Sequence, residues 1–234
     1  MSTLLQSSTY FGLLLSLAAF AVGLWVQRRF GSGPVGMLLN PLLVAIILVI
    51  CLLLVARIDY STYSRSADYL TYLLTPATVC LAVPLHRQFD KLKAHAVPIF
   101  AGVLVGVLVN LVGIWAMGKA FGVDRVTYVT LLPKSITTAI GIGLSEEFGG
   151  IVAITVASIV ITGNLGALVA EPLCRAAGIT DPVARGVGIG TSAHVIGTVR
   201  AMQLGEIEGA MGSLAIIVAG LLTVGLAPLF VLLW

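Results

Sequence analysis

Long apolar stretches alternate with short polar connections along this chain, and each long stretch predicts a membrane-spanning helix. A helix needs about 20 apolar residues to cross the hydrocarbon core of a bilayer. Five stretches reach that length, at 8–26, 35–56, 96–118, 151–170 and 206–234. We therefore predict an all-α, polytopic integral membrane protein with about 6–8 transmembrane segments.

Three further apolar stretches are short or interrupted, which predicts broken or re-entrant helices. They lie at 70–86, 127–145 and 186–204. Prolines interrupt the first two and glycines interrupt the third. A proline removes a backbone donor and clashes with the preceding turn. Membrane proteins tolerate irregular backbone where it is buried in protein or lines a water-filled cavity.

The last two interrupted stretches resemble each other as an internal repeat. A shift of sixty residues matches Lys134 to His194, Thr138 to Thr198 and Glu146 to Glu206. Each stretch precedes a long one, so candidate repeat units run over about 132–173 and 191–230 of a single domain, 1–234. If both stretches turn back, the units are inverted. Inverted repeats with discontinuous helices are a recurring transporter design, in which substrate binds where the breaks meet.

Composition places the chain in a membrane and excludes other classes of protein. Hydrophobic residues make up 59% and charged residues 10%, whereas a soluble domain carries about 25% charged residues. The net charge of +3 is spread over short connections, so nothing indicates a nucleic-acid partner. If both late stretches re-enter, the positive-inside rule favours a cytoplasmic face carrying Arg28, Arg87 and Arg175. We expect a multi-pass protein of the cell (inner) membrane in contact with the lipid bilayer.

Lys134 is the first candidate binding residue, because a charge in a membrane segment costs roughly 2.5–3.5 kcal/mol. A helix that begins after Pro133 has free N–H groups, and the hydroxyls of Ser135, Thr137 and Thr138 lie beside them. Free amides, a positive dipole end and an ammonium together make an anion site. The alternative is that Lys134 extends its charge to the membrane surface along its aliphatic stem.

A second polar cluster lies in the last interrupted stretch. It comprises Thr191, Ser192, His194, Thr198 and Arg200. His194 titrates near physiological pH and could carry a coupled proton, or it could donate a hydrogen bond between packed helices. Arg200 suits bidentate recognition of a carboxylate. Alternatively, it forms a structural ion pair with Glu206 or Glu146.

Accessory candidates are Pro76, Thr78, Asn110 and Asn164, of which the two asparagines favour hydrogen bonds between helices. Cys51, Cys80 and Cys174 show no paired spacing, so we expect buried thiols and no metal site. No nucleophile, base and orienting group are assembled, and we therefore predict neither a cofactor nor an enzymatic activity.

Several motifs resemble, in order along nearly the whole chain, those of the LrgB/CidB family. They are LNPLLVA at 39–45, LTPATVCLAVPL at 74–85, PKSITT at 133–138, TSAHVIGTVR at 191–200 and EGAMGSLA at 208–215. The chain departs from the family pattern at Ala139, where proline is usual, and at Gly212, where serine is usual. Ser192-Ala193 reverses the usual order.

The resemblance implies two different functions. Members are antiholin-like regulators of murein hydrolase export and autolysis that work with a small LrgA/CidA-like membrane protein. Others, including the LrgB half of the plastid glycolate/glycerate translocator, are linked to movement of small monocarboxylates such as pyruvate, glycolate or glycerate. The lysine, arginine and helix ends favour a carrier for a small carboxylate, partnered by an LrgA-like subunit in a homo- or hetero-oligomer. The alternative is a regulator without transport activity.

Overall fold

The computed structural model describes residues 10–30, 41–73 and 96–234, together with positions 76, 79, 86 and 93. All regular structure in this part of the chain is helical, which confirms the predicted all-α class. The helices are α1 (Phe11–Phe30), α2 (Pro41–Ala56), α3 (Tyr60–Tyr72), α4 (Ala96–Phe121), α5 (Arg125–Leu131), α6 (Thr138–Glu147), α7 (Val152–Ala176), α8 (Pro182–Leu204) and α9 (Glu206–Leu232).

Four of these helices are long and apolar enough to cross a membrane: α1, α4, α7 and α9. The shorter α2 is also apolar. These five correspond to the five long stretches of the sequence, which confirms a multi-pass membrane protein. The interrupted stretch 70–86 lies largely outside the described residues. The chain divides into two compact units, Met1–Cys80 and Leu81–Trp234. The bounds of the domain and repeat units stay predictions.

Close packing and hydroxyl contacts hold the first unit together. A β-carbon at Gly23 of α1 would collide with the Pro41 carbonyl oxygen, so only glycine allows this approach to α2. Helix α3 is polar and was not predicted from the apolar pattern. Its Ser66 hydroxyl accepts a hydrogen bond from the Gly12 amide at 2.7 Å, which fixes α3 against α1.

In the second unit, α5 and α6 form a helical hairpin, here called the first hairpin (125–147). The Thr155 hydroxyl of α7 donates to the Thr130 carbonyl at 2.9 Å and lies 2.7 Å from Ser145 Oγ. In one continuous helix, Thr130 and Ser145 would be about 22 Å apart. The chain therefore reverses between them, and its turn is the non-helical stretch 132–137.

Helix α8 is also a hairpin, here called the second hairpin (182–204), with arms at 182–193 and 195–204. A β-carbon at Gly212 of α9 would lie 3.0 Å from Thr198 Oγ1 and 3.5 Å from the Gly186 carbonyl oxygen. A straight helix would separate Gly186 from Thr198 by about 18 Å. The reversal falls at His194, whose backbone is non-helical with φ 42° and ψ −135°.

The two hairpins enter the membrane from opposite faces. Arms of 7–12 residues reach about 10–18 Å, whereas the hydrocarbon core is about 30 Å thick. Each hairpin therefore returns to the face that it entered from, and α7 crosses once between them. We call the side of residues 122–124 and 148–151 face A, and the side of 177–181 and 205 face B. This arrangement agrees with the predicted re-entrant, inverted repeat.

An aromatic contact joins three helices at face A. The Tyr128 ring stacks on Trp234 with centroids 4.1 Å apart, and the Tyr128 hydroxyl donates to the Phe230 carbonyl. Lys119 Nζ lies 4.1 Å from the centroid of the Trp234 ring. The outer arm of the first hairpin is thus held against the ends of α4 and α9.

Candidate functional site

The turn of the first hairpin presents a lysine and a serine to one asparagine. Lys134 Nζ donates to Asn110 Oδ1 at 2.8 Å, and Ser135 Oγ donates to the same oxygen at 2.9 Å. Asn110 lies near the middle of α4. All three side chains are half-buried. The structure therefore gives the Lys134 ammonium two hydrogen-bond partners within the second unit.

The same turn ends in the beginning of a helix. Thr137 is the N-cap residue of α6, with an extended backbone and no side-chain capping bond. The amides of the first helical turn, from Thr138 onward, have no acceptor within the helix. They form the positive end of the helix dipole, which favours bound anions. Because α6 begins four residues after Lys134, its amide end and the ammonium belong to the same turn.

Lys134 differs in its partners from three arginines of the second unit. Arg185 pairs with Glu208 at 3.5 Å, and Arg200 and Arg175 both pair with Glu171. Within the described residues, the hydrogen bonds of the Lys134 ammonium go to the neutral groups of Asn110 and Ser135 alone. One positive charge at this turn is therefore not balanced by a carboxylate in the part of the chain that the structure describes.

His194 forms the turn of the second hairpin and is buried. A positive φ is strained for any residue with a β-carbon, and such strain concentrates at functional positions. Its ring Nε2 lies 2.9 Å from the Ile159 carbonyl oxygen of α7. A carbonyl only accepts, so Nε2 carries a proton and donates. The structure thus gives His194 the predicted role of hydrogen bonding between helices, and proton carriage stays a prediction.

Both hairpin turns lie at the same depth. β-carbons at Gly102 and Gly106 of α4 would lie 3.5 Å from Val187 Cγ1 and 2.7 Å from Thr191 Cγ2. Both pairs advance by four residues, so α4 runs parallel to the first arm of the second hairpin. One helical turn further on, Asn110 is level with the turn at His194. Asn110 also contacts the turn at Lys134, so the breaks meet at one level.

Most other residues of the predicted second cluster do not face the lysine. The Thr191 and Ser192 hydroxyls donate back into their own helix, and Ser192 is exposed. Thr198 is fully buried against Gly212, and its hydroxyl has no hydrogen-bond partner among the described residues. Arg200 lies about 9 Å along its arm from the His194 turn.

The accessory candidates fall in different places. Asn110 is a direct partner of Lys134. Asn164 donates to the Val160 carbonyl of its own helix, and its Oδ1 has no partner among the described residues. Pro76 is exposed, and Thr78 lies outside the described residues.

One predicted contact is corrected by the structure. Arg200 pairs with Glu171, at 2.6 Å between Nη2 and Oε2, and not with Glu206 or Glu146. The arm carrying Arg200 packs on α7, and Ala201 shares a small apolar cluster with Ala170. Glu171 was missed because the predicted segment ended at residue 170. An isolated carboxylate beside an apolar stretch was the available signal, since such a group needs a partner.

Comparison with known proteins shows the family. The model of the LrgB-like family matches residues 16–233. The chain belongs to the LrgB-like family. Both hairpins, α4 and the Lys134 site lie inside the match. No solved structure matches the chain.

Curated LrgB-like relatives are similar over nearly their whole length. Holin-like protein CidB of Staphylococcus epidermidis is 36% identical over 222 residues, which is 95% of each chain. Antiholin-like protein LrgB of Bacillus subtilis is 32% identical over 224 residues, or 96% of each chain. Antiholin-like protein LrgB of Bacillus mycoides is 35% identical over 225 residues. These relatives and the apolar helices together show a multi-pass cell-membrane protein.

Proposed function

We propose that this LrgB-like protein binds a small monocarboxylate at the turn of the first hairpin and carries it across the membrane. The observation that supports this function is the Lys134 ammonium, which lies at a membrane-embedded turn among neutral partners. An uncompensated charge at this depth is costly and is usually functional. A bound carboxylate would balance it.

The charges around the site favour a monoanion of the pyruvate, glycolate or glycerate class. Arg185 and Arg200 have carboxylate partners of their own, so neither has a free charge to offer a ligand. A second carboxylate on the substrate would have to be desolvated without a matching cation, which is unfavourable. Ser135 and the first amides of α6 would complete the binding of one carboxylate group.

The inverted hairpins support transport and not only binding. Their turns meet at one level, and each hairpin closes the path towards a different face. Alternating access in carriers with inverted repeats moves the two repeats around such a central site. Action with an LrgA/CidA-like membrane subunit, in a homo- or hetero-oligomer, is part of the proposal. Neither a cofactor nor a catalytic step is.

Uptake into proteoliposomes tests this function. The protein is reconstituted with and without its LrgA-like subunit, and uptake of labelled pyruvate, glycolate and glycerate is measured. Lys134→Met keeps the aliphatic stem but removes the charge. We expect it to reduce uptake by roughly 10- to 100-fold, because a hydrogen bond to a charged group contributes about 1.5–3 kcal/mol.

Lys119→Met is the matched control, since Lys119 lies at face A beside Trp234 and does not contact the site. It should transport like the wild type. Equal uptake by Lys134→Met and Lys119→Met would contradict the assignment of Lys134.

A second candidate function is an antiholin-like regulator of murein hydrolase export and autolysis. It is favoured by the names of the relatives, holin-like CidB and antiholin-like LrgB. Deleting the chain should then change the rate of autolysis, and the Lys134→Met protein should restore that rate fully. If wild-type protein takes up no monocarboxylate while deletion alters autolysis, regulation replaces transport as the conclusion.

A further inference from the structure

Asn110 occupies the position that an anion would need at the first hairpin. Its Oδ1 atom accepts hydrogen bonds from Lys134 Nζ at 2.8 Å and from Ser135 Oγ at 2.9 Å. An ammonium has only donors, so the oxygen of the carboxamide faces Lys134. One carbonyl oxygen therefore uses the same two donors that would hold one carboxylate oxygen of a ligand.

The empty protein needs an acceptor at this place. Lys134 is half-buried at a level near the middle of α4, and a charge removed from water without hydrogen-bond partners is costly. The amide oxygen of Asn110 satisfies the ammonium but carries no net charge. A protein carboxylate there would neutralise Lys134 and remove its attraction for anions, whereas an apolar side chain would leave it without this acceptor.

We propose that Asn110 is an internal competitor of the ligand, which holds Lys134 and Ser135 in the empty protein and is displaced when a carboxylate binds. This inference rests on the proposed function and identifies Asn110 as the residue that limits the affinity for the carboxylate. The ligand must break two hydrogen bonds before it forms its own. Binding is thereby weakened, and the empty site is stabilised without a counter-ion.

Substitutions of Asn110 distinguish a competitor from a residue that merely positions its neighbours. Dissociation constants for pyruvate are measured by titration calorimetry on the purified chain in lipid nanodiscs. Removing a competitor, in Asn110→Ala, should tighten binding about five- to tenfold, because the contacts it made no longer oppose the ligand. Asn110→Asp should weaken binding at least about tenfold, because the new carboxylate pairs with Lys134 permanently.

Trp115→Phe is the control in the same helix, since the Trp115 Nε1 atom has no hydrogen-bond partner among the described residues. It should bind pyruvate like the wild type. Asn110→Leu is nearly isosteric and takes the place of Asn110→Ala if that variant does not fold. Its affinity should also rise.

The outcomes separate this inference from the proposed function. Weaker binding by Asn110→Ala and Asn110→Leu, or unchanged binding by Asn110→Asp, would overturn the competitor role while Lys134→Met still abolished binding. Binding of pyruvate by Lys134→Met with wild-type affinity would instead overturn the site itself. Tighter binding by the two apolar variants, lost on adding Lys134→Met, supports both.

Discussion

The two hairpins of the second unit have the same design but differ at their turns and at their bases. Each begins with an aspartate N-cap, Asp124 or Asp181, and each is followed by one long helix. The first has a non-helical turn at 132–137, which contains Lys134 and ends where α6 begins. The second reverses at His194 alone. The polar groups of the longer turn meet at Asn110 of α4, whereas the polar group of the tight turn contacts the Ile159 carbonyl of α7.

The two hairpins also differ in the contacts that hold their arms to neighbouring helices. The Thr155 hydroxyl of α7 holds the first hairpin through the Thr130 carbonyl and the Ser145 hydroxyl. The second is held by ion pairs, from Arg185 to Glu208 of α9 and from Arg200 to Glu171 of α7. The arginines of the second hairpin thus have carboxylate partners, whereas the Lys134 ammonium of the first hairpin has only neutral partners among the described residues.

The largest expected effect comes from the two hairpins opening onto opposite faces of the membrane, because a residue on one face is either labelled from that side or not labelled at all. Single cysteines are placed at Glu147, on face A, and at Thr180, on face B, after Cys51, Cys80 and Cys174 are replaced by alanine. Both positions are exposed, Glu147 at the end of α6 and Thr180 in the connection between α7 and α8. An impermeant maleimide added to sealed vesicles should label one and not the other. Labelling of both from the same side would contradict the inverted hairpins.

Two neighbouring glycines of the second hairpin should differ in how well they tolerate a larger side chain, although the sequence does not distinguish them. A β-carbon at Gly190 would lie 2.5 Å from the Gly212 carbonyl oxygen, whereas Gly188 has no such neighbour within 4 Å. Gly190→Ala should therefore destabilise the protein by about 3 kcal/mol, the upper range for overpacking against backbone. Gly188→Ala is the control and should leave the melting temperature unchanged or slightly raised. Equal melting temperatures for the two variants would refute the close contact.

Removing the ion pair of the second hairpin should lower the stability of the protein more than removing the hydroxyl contacts of the first hairpin. Arg185→Met leaves the Glu208 carboxylate buried without its cation and should cost about 2 kcal/mol, less than a fully buried pair. Thr155→Val leaves the Thr130 carbonyl and the Ser145 hydroxyl with one partner fewer and should cost about 1 kcal/mol. Thermal unfolding in detergent measures both. The Arg185→Met/Glu208→Leu double variant should regain part of the loss, and failure to do so would argue against a buried ion pair.

Acid should loosen the start of the first hairpin slightly, which is the smallest effect. Hydrogen bonds from the Thr127 hydroxyl and amide lower the pKa of Asp124 below its ordinary 3.8. The stabilisation is therefore complete above the unfolded pKa and is lost as pH falls through the folded one. Hydrogen exchange of residues 125–131, corrected for intrinsic rates, should rise below about pH 4. Asp124→Asn keeps a capping side chain but cannot titrate, so its protection should not depend on pH in this range.

Sequence alone predicted the breaks well because their causes are local. Pro133 removes a backbone donor, and Lys134 cannot be left in lipid without a partner. Both facts can be read from adjacent residues. Whether each interrupted stretch crosses the membrane or turns back stayed open in the sequence, and only contacts between residues on opposite arms decide it.

The contacts of the site were less predictable because they join distant parts of the chain. Asn110 was a candidate for hydrogen bonding between helices, but nothing in the sequence specified Lys134 as its partner. Glu206 or Glu146 was the predicted ion-pair partner of Arg200. The arm that carries Arg200 packs on α7, and its partner there is Glu171. Helix α3 was missed because its polar residues bury hydroxyls against α1 and show no apolar stripe.

The stack of Tyr128 on Trp234 gives the first hairpin an intrinsic fluorescence signal. Tyr128 belongs to the outer arm of that hairpin, and Trp234 follows α9, so any separation of the two removes a ring from the indole face. The Lys119 ammonium lies over the same indole ring, and a movement of α4 away from Trp234 would remove it. With Trp25 and Trp115 replaced by phenylalanine, the emission of the single remaining tryptophan would follow opening at face A in real time, without an attached dye.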